Sequence, residues 1–261
     1  MAGKSQPAAR ISAVPIPDDL TVAAYGFAFV LILAASFLRA FTGFGFALLA
    51  VPGLMLLMPP VAAVPIAMLL QLGAAAAMVP STRKEMDWRS LRLLLPGGLL
   101  LTPVGALTLA IVDPTLLKLA ICAIVMVIAL ALWRGFRLKK APGPVGSFLA
   151  GASAGFLGGL AAIPGPPVIL FYLSAPGNHA STRASLNGFF LILNILAVGT
   201  LALKGAFDLH AIVWAATLGP AMLLGSWLGS AGFRRADPAL FRTVAVGLLF
   251  VTGAAGIASS F

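Results

Sequence analysis

The sequence predicts an all-α polytopic membrane protein built from two inverted-topology repeats, with broken or re-entrant helices at Gly/Pro motifs. Three observations carry that expectation. Hydrophobic residues make up 61% of the chain and charged residues only 9%, against roughly 25% charged in soluble domains. Long uncharged runs recur at 20–38, 40–82, 93–112, 141–178, 184–203 and 211–233. The segment 43–53, GFGFALLAVPG, returns at 155–165 as GFLGGLAAIPG. A membrane β-barrel would need strands that alternate apolar and polar residues, and these runs are continuously apolar.

The elements follow in order. Residues 1–19 lack an apolar core and a small-residue cleavage pattern, so they read as a polar N-terminal tail and not a signal peptide. About 20 apolar residues span a bilayer as a helix, so the run 20–38 is one span length. The run 40–82 holds about two such lengths, broken at Pro52-Gly53 and Pro59-Pro60. A basic loop at 81–92 (Arg83, Lys84, Arg89, Arg92) precedes the run 93–112. The single cysteine, Cys122, lies in an apolar segment; it excludes an intrachain disulfide and a thiolate metal cluster. These segments form a first repeat at 20–133. A basic linker at 134–145 carries Arg134, Arg137, Lys139 and Lys140, and a second repeat fills 146–261.

The duplication extends beyond the motif. Ser36-Phe37-Leu38 returns as Ser147-Phe148-Leu149. Further on, Gln71 aligns with Asn194, Pro96 with Pro220, Gly105 with Gly229, and Asp113-Pro114 with Asp237-Pro238. The second half therefore carries an insertion between Pro166 and Asn194, best placed at 175–182. Matching loops have opposite charge bias. The basic loop 81–92 corresponds to a region holding only Lys204, whereas the loop with only Lys118 corresponds to one holding Arg234, Arg235 and Arg242. Lys/Arg-rich loops are cytoplasmic, so the two halves are inverted. The net charge of +10 is thus explained by topology and not by nucleic acid. Each half crosses the membrane an odd number of times, as five spans or as three spans plus a hairpin. Both choices put the N- and C-termini outside. Pro164-Gly165-Pro166-Pro167 cannot continue a helix and favours the hairpin.

Broken backbone at membrane depth is tolerated only where it is buried or lines a cavity. Paired Gly/Pro interruptions in corresponding positions of two halves point to a transporter binding site. Small residues also let membrane helices pack closely, and it is the recurrence in both halves that favours a site. Half-helix N-termini attract anions, and helix starts after Gly43 and after Pro166-Pro167 would supply them. Few side chains can assist. Arg39 is either a substrate-facing cation or a snorkelling anchor, and Arg183 stands between the same two readings. Gln71 and Asn194 are matching amides in apolar helices, able to donate to an anion or to bond the backbone; Asn187 is of the same kind. Thr42 and Ser153 flank the motifs and either donate to substrate or bond the preceding turn.

All seven acidic residues fall at expected helix ends or loops, so no carboxylate of the kind used by many proton-coupled carriers lies mid-membrane. No hydrolase or phosphate-loop pattern occurs. The chain reads as no enzyme, with no cofactor and no metal. Outward movement of an anion from an inside-negative cell gains about 2.3 kcal/mol per 100 mV, which suits export without a coupling ion.

The stretches FTGFGFALLAVPGLMLL and SAGFLGGLAAIPGPPVILFYLS, with the basic linker between them, resemble the TauE/SafE sulfite exporter family. The likeness runs from about residue 23 to the C-terminus. It implies a multi-pass inner-membrane carrier of two related halves, with sulfite, sulfoacetate, sulfolactate or a related organosulfonate as substrate. By motif match it assigns Gly43, Phe44, Gly45, Pro52 and Gly53 in the first copy. In the second it assigns Gly155, Phe156, Gly158, Gly159, Pro164 and Gly165, with Pro166 beside them. Phe46-Ala47 stand where the second copy has Gly158-Gly159, so the site should be asymmetric. The expected partners are a small anion and the lipid bilayer, without nucleic acid; the oligomeric state, a homo-oligomer included, stays open. The alternatives to alternating-access export are an anion channel and a sulfur relay through Cys122, whose apolar surroundings disfavour a thiolate.

Overall fold

The computed structural model describes residues 22–134, 142–174, 179–232 and 238–259. The N-terminal tail, most of the linker, the start of the inserted loop and the basic residues Arg234 and Arg235 lie outside the described residues. Ten α-helices follow in order: α1 (Val22–Thr42), α2 (Phe46–Leu54), α3 (Pro60–Thr82), α4 (Trp88–Ile111), α5 (Pro114–Trp133), α6 (Pro144–Ala161), α7 (Gly165–Ser174), α8 (His179–Leu203), α9 (Leu209–Gly232) and α10 (Pro238–Ala258). There is no strand among the described residues.

Among the described residues seven helices are long and apolar enough to cross a membrane: α1, α3, α4, α5, α6, α8 and α9. Two are not. With nine residues, α2 is roughly 13 Å long, and α7 with ten is roughly 15 Å, at 1.5 Å rise per residue. Each covers about half of a hydrocarbon core of about 30 Å.

The two short helices arise where the backbone leaves helical geometry. After α1, Gly43 and Gly45 take φ of 82° and 94°, a left-handed conformation that costs glycine nothing and other residues 1 kcal/mol or more (about). The chain then reverses: α2 runs back along α1, so that Gly53 packs on Leu31. After α6, Ala162 takes φ of 58°, and Pro164 stops any continuation. The helices therefore break at Gly43–Gly45, where the chain folds back, and at Ala162–Pro164, whereas the break expected at Pro52-Gly53 does not occur, because both residues lie inside α2.

Packing exchanges partners between the halves. Helix α1 lies along α9, and α6 lies along α4. Matched contacts give their directions. Tyr25 Oη donates to the Thr217 carbonyl at 2.9 Å, and further along, Gly225 and Gly229 rest on the Leu33 and Phe37 carbonyls, so α1 and α9 run parallel. Along α4 and α6, Gly97 and Gly105 meet the Phe148 and Phe156 carbonyls, while Gly151 and Gly155 meet those of Leu94 and Gly98. Glycine is required there because a Cβ would overlap the opposite backbone. Helices α5 and α10 run antiparallel, with Cys122 against Gly256, Met126 against Gly253, and Lys118 Nζ donating to the Ser259 carbonyl at 3.5 Å.

The apolar interior forms two clusters. One gathers Leu91 and Leu94 of α4, Val168 and Phe171 of α7, and Phe189 and Phe190 of α8. The other joins α1, α2, α3 and α5 with the hairpin tip Ala161–Ile163. Phe44 packs against both, which places the first Gly/Pro turn on the seam.

The described acidic residues sit at helix ends. Asp113 accepts from Thr115 N and Leu116 N at the start of α5, and Asp208 from Ala211 N at the start of α9. Asp87 caps α4 by accepting from Arg89 N at 3.1 Å and Ser90 N at 3.2 Å. Its own N–H donates to Ser185 Oγ at 2.7 Å, tying α4 to α8. The Ser90 hydroxyl, and then the backbone donors, hold the Asp87 carboxyl below its usual range against the opposing effect of burial. Because the folded value is depressed, this cap contributes stability above the ordinary Asp value of about 3.9 and loses it as pH falls through the folded value. Asp87→Ala is expected to cost about 1 kcal/mol at neutral pH. Thermal melts should show that deficit shrinking as pH is lowered below about 4; a deficit independent of pH would remove the carboxylate from the account.

Candidate functional site

The seam holds a small, partly open pocket whose empty space, open solvent included, is about 280 Å³. The first half lines it with Arg39, Phe44 to Leu48 and Gln71, and the second with Ala162 to Pro166 and Phe190. Both Gly/Pro turns therefore meet in one place. A Cβ on Gly165 would lie 3.4 Å from the Phe44 Cβ, ordinary contact between the two motifs.

Two half-helices begin at this cavity. The first described bond of α2 is Leu49 N to Gly45 O, so the N–H groups of Phe46, Ala47 and Leu48 have no carbonyl within the helix. No side chain caps them. Helix α7 starts at Gly165, with Pro166 and Pro167 inside its first turn; the expected start after the prolines is shifted, because proline is well accommodated in a first turn. Those prolines have no N–H, so α7 offers fewer donors than α2. The positive ends of both helix dipoles nevertheless face one cavity.

Arg39 supplies the formal charge. It is 6% exposed, too deep for a snorkelling anchor. Its Nη2 donates to Asn187 Oδ1 at 3.1 Å, and Asn187 in turn donates from Nδ2 to the Ala75 carbonyl at 3.2 Å. The Nη1 group is buried without a hydrogen-bond partner. A buried guanidinium with an unmet donor is costly unless an acceptor joins it. Gln71 spans the site, its Nε2 donating to the Ala162 carbonyl at 3.0 Å, so one half secures the hairpin tip of the other.

The structure brings together Arg39, Phe44, Gly45, Gln71, Pro164, Gly165 and Pro166 on the cavity wall. Asn187 acts through Arg39. Gly43 forms the turn, with Arg183 Cγ over it, and Gly158 faces Pro164 and accepts from Ala162 N at 2.9 Å. Other expected site residues face elsewhere. Gly155 and Gly159 press on α4, and Phe156 packs into the larger core. Pro52 and Gly53 are buried within α2. Ser153 is exposed and donates to Leu149 O at 2.8 Å, and Asn194 donates to Phe190 O within its own helix at 2.9 Å. The pairing of Gln71 with Asn194 thus does not carry into the cavity. Thr42 closes α1, and its side chain lies outside the described residues. Sequence reasoning missed Phe46, Ala47, Leu48, Ala162, Ile163 and Phe190. The first three follow Gly45 directly and were within reach of the helix-start reading; Phe190 is distant in sequence and carried no signal.

No curated protein and no solved structure matches the chain. A family model described as "Sulfite exporter TauE/SafE" matches residues 28–256. That match spans both Gly/Pro turns, the pocket and nearly the whole chain, and this multi-pass membrane protein therefore belongs to the TauE/SafE sulfite exporter family, a family of membrane transporters and not of enzymes.

Proposed function

We propose that this transporter exports sulfite or a small organosulfonate such as sulfoacetate by alternating access. The observation that carries this reading is Arg39: a buried guanidinium with an unpartnered Nη1, on the wall of a cavity where two half-helix N-termini converge. An oxyanion supplies the acceptor that Arg39, Phe46, Ala47 and Leu48 jointly lack. The surrounding Phe44, Ile163 and Phe190 keep water away and strengthen each contact.

The halves α1–α5 and α6–α10, joined by the linker at 134–145, act as inverted repeats. The antiparallel course of α5 and α10 supports this, as does the reciprocal packing of α1 on α9 and α6 on α4. The end bearing Arg83, Lys84, Arg89 and Arg134 faces the cytoplasm of a cell whose inner membrane holds the protein, with both termini outside. The seam between the two apolar clusters is the plane along which access alternates.

Purified protein in proteoliposomes tests this. Labelled sulfite flux is expected to saturate and to be accelerated by unlabelled sulfite on the far side. Sulfoacetate should compete and chloride should not. Flux that rises linearly with concentration and shows no countertransport would replace the carrier with a channel, and absence of flux for every sulfur anion would end the proposal.

A further inference from the structure

Arg183 stands beside the anion site without lining it. It lies one turn before Asn187 on α8, and residues four apart share a helix face, so both look onto the turn between α1 and α2. Arg183 lies across that turn: a Cβ on Gly43 would come within 3.3 Å of its Cγ. The φ of 82° at Gly43 also disfavours any side chain there. On the other side, the start of α8 packs on the turn Arg83–Glu85, with Gly188 against Met86. The cations are graded in burial: Arg83 and Lys84 are exposed, Arg183 is half-buried, and Arg39 is 6% exposed.

We propose that Arg183 is the entry cation of the anion site, receiving the anion from the basic α3–α4 end and passing it past the Gly43 turn to Arg39. This rests on the reading of the cavity as an anion site. A graded line of like charges with low-dielectric walls focuses the field inward and raises the local anion concentration. Repulsion between the two guanidiniums is relieved when an anion lies between them, and Nη1 of Arg39 is the next donor on the path. Gly43 is kept free of a side chain by the close approach of Arg183 as well as by the turn.

The test is sulfite transport by purified wild type, Arg183→Gln and Arg183→Lys in proteoliposomes, over a range of ionic strength. Arg183→Gln is expected to raise KM about tenfold with kcat kept, and to flatten the fall of kcat/KM with salt. Arg183→Lys should restore both, since it keeps the charge. An unchanged KM in Arg183→Gln, or a raised KM with the wild-type salt dependence, would overturn the inference. If Arg183→Gln does not fold, Arg183→Lys decides: a wild-type KM and salt slope support charge capture, and a raised KM with the wild-type slope refutes it. Wild type that moves no sulfite removes the proposed function itself, whereas wild-type flux with an indifferent Arg183→Gln removes only the entry role.

Discussion

Arg39→Gln is expected to weaken sulfite binding by about 30-fold or more while leaving the protein folded. Removing one side of a buried, hydrogen-bonded charge pair costs about 2–5 kcal/mol, and each 1.4 kcal/mol is about tenfold in affinity. Here the anion would lose its formal countercharge and the guanidinium donor that is otherwise unpartnered. Stability should respond in the opposite direction. Arg39 makes one bond to Asn187 and carries a charge at 6% exposure, so a neutral side chain relieves a desolvation cost. A melting temperature equal to or above wild type, with thermal stabilisation by sulfite lost, is the expected pair of results. Full stabilisation by sulfite in the variant would move the anion away from Arg39. Arg137→Gln in the basic linker is the control and should leave binding unchanged.

The second large effect falls on folding. Gly155→Val is expected to destabilise by about 3 kcal/mol or more, at the upper end of overpacking costs, and to reduce the yield of monodisperse protein in detergent. The cause is steric: a Cβ at Gly155 would overlap the Gly98 carbonyl, and its other near neighbours are also backbone atoms of Gly98 at 2.8 and 2.9 Å. Rigid backbone cannot step aside as a side-chain tip can. Gly199→Val should be tolerated, since a Cβ there meets nothing within 4 Å. Size-exclusion profiles and thermal melts of the two variants check this directly. A folded Gly155→Val protein lacking only anion binding would return Gly155 to the substrate site.

These two residues show where sequence reasoning reached its limit. The motif GFLGG reads equally as a place for close ligand approach and as a place for close helix approach, because both need the missing Cβ. Gly155 and Gly159 serve helix approach, whereas Gly165 lines the cavity. Arg39 was open between anchor and site because burial is not a property of local sequence. Asn194 had the right chemistry and the right alignment, but the two halves place their amides differently: Gln71 reaches the opposite hairpin, and Asn194 turns back to its own helix.

The sequence by itself determined that this chain is helical and membrane-embedded, that the segment 43–53 is echoed at 155–165, and that the helices break near both copies. Those features depend on composition, on uninterrupted apolar length and on backbone conformations local to a few residues. Only the tertiary structure decided that α2 folds back on α1, that α1 pairs with α9 and α6 with α4, and that Arg39, Gln71 and two helix starts meet in one cavity. Such meetings join residues more than a hundred positions apart, such as Arg39 and Asn187. They follow from which helix faces can approach one another closely, a property of the packed surfaces and not of either segment alone.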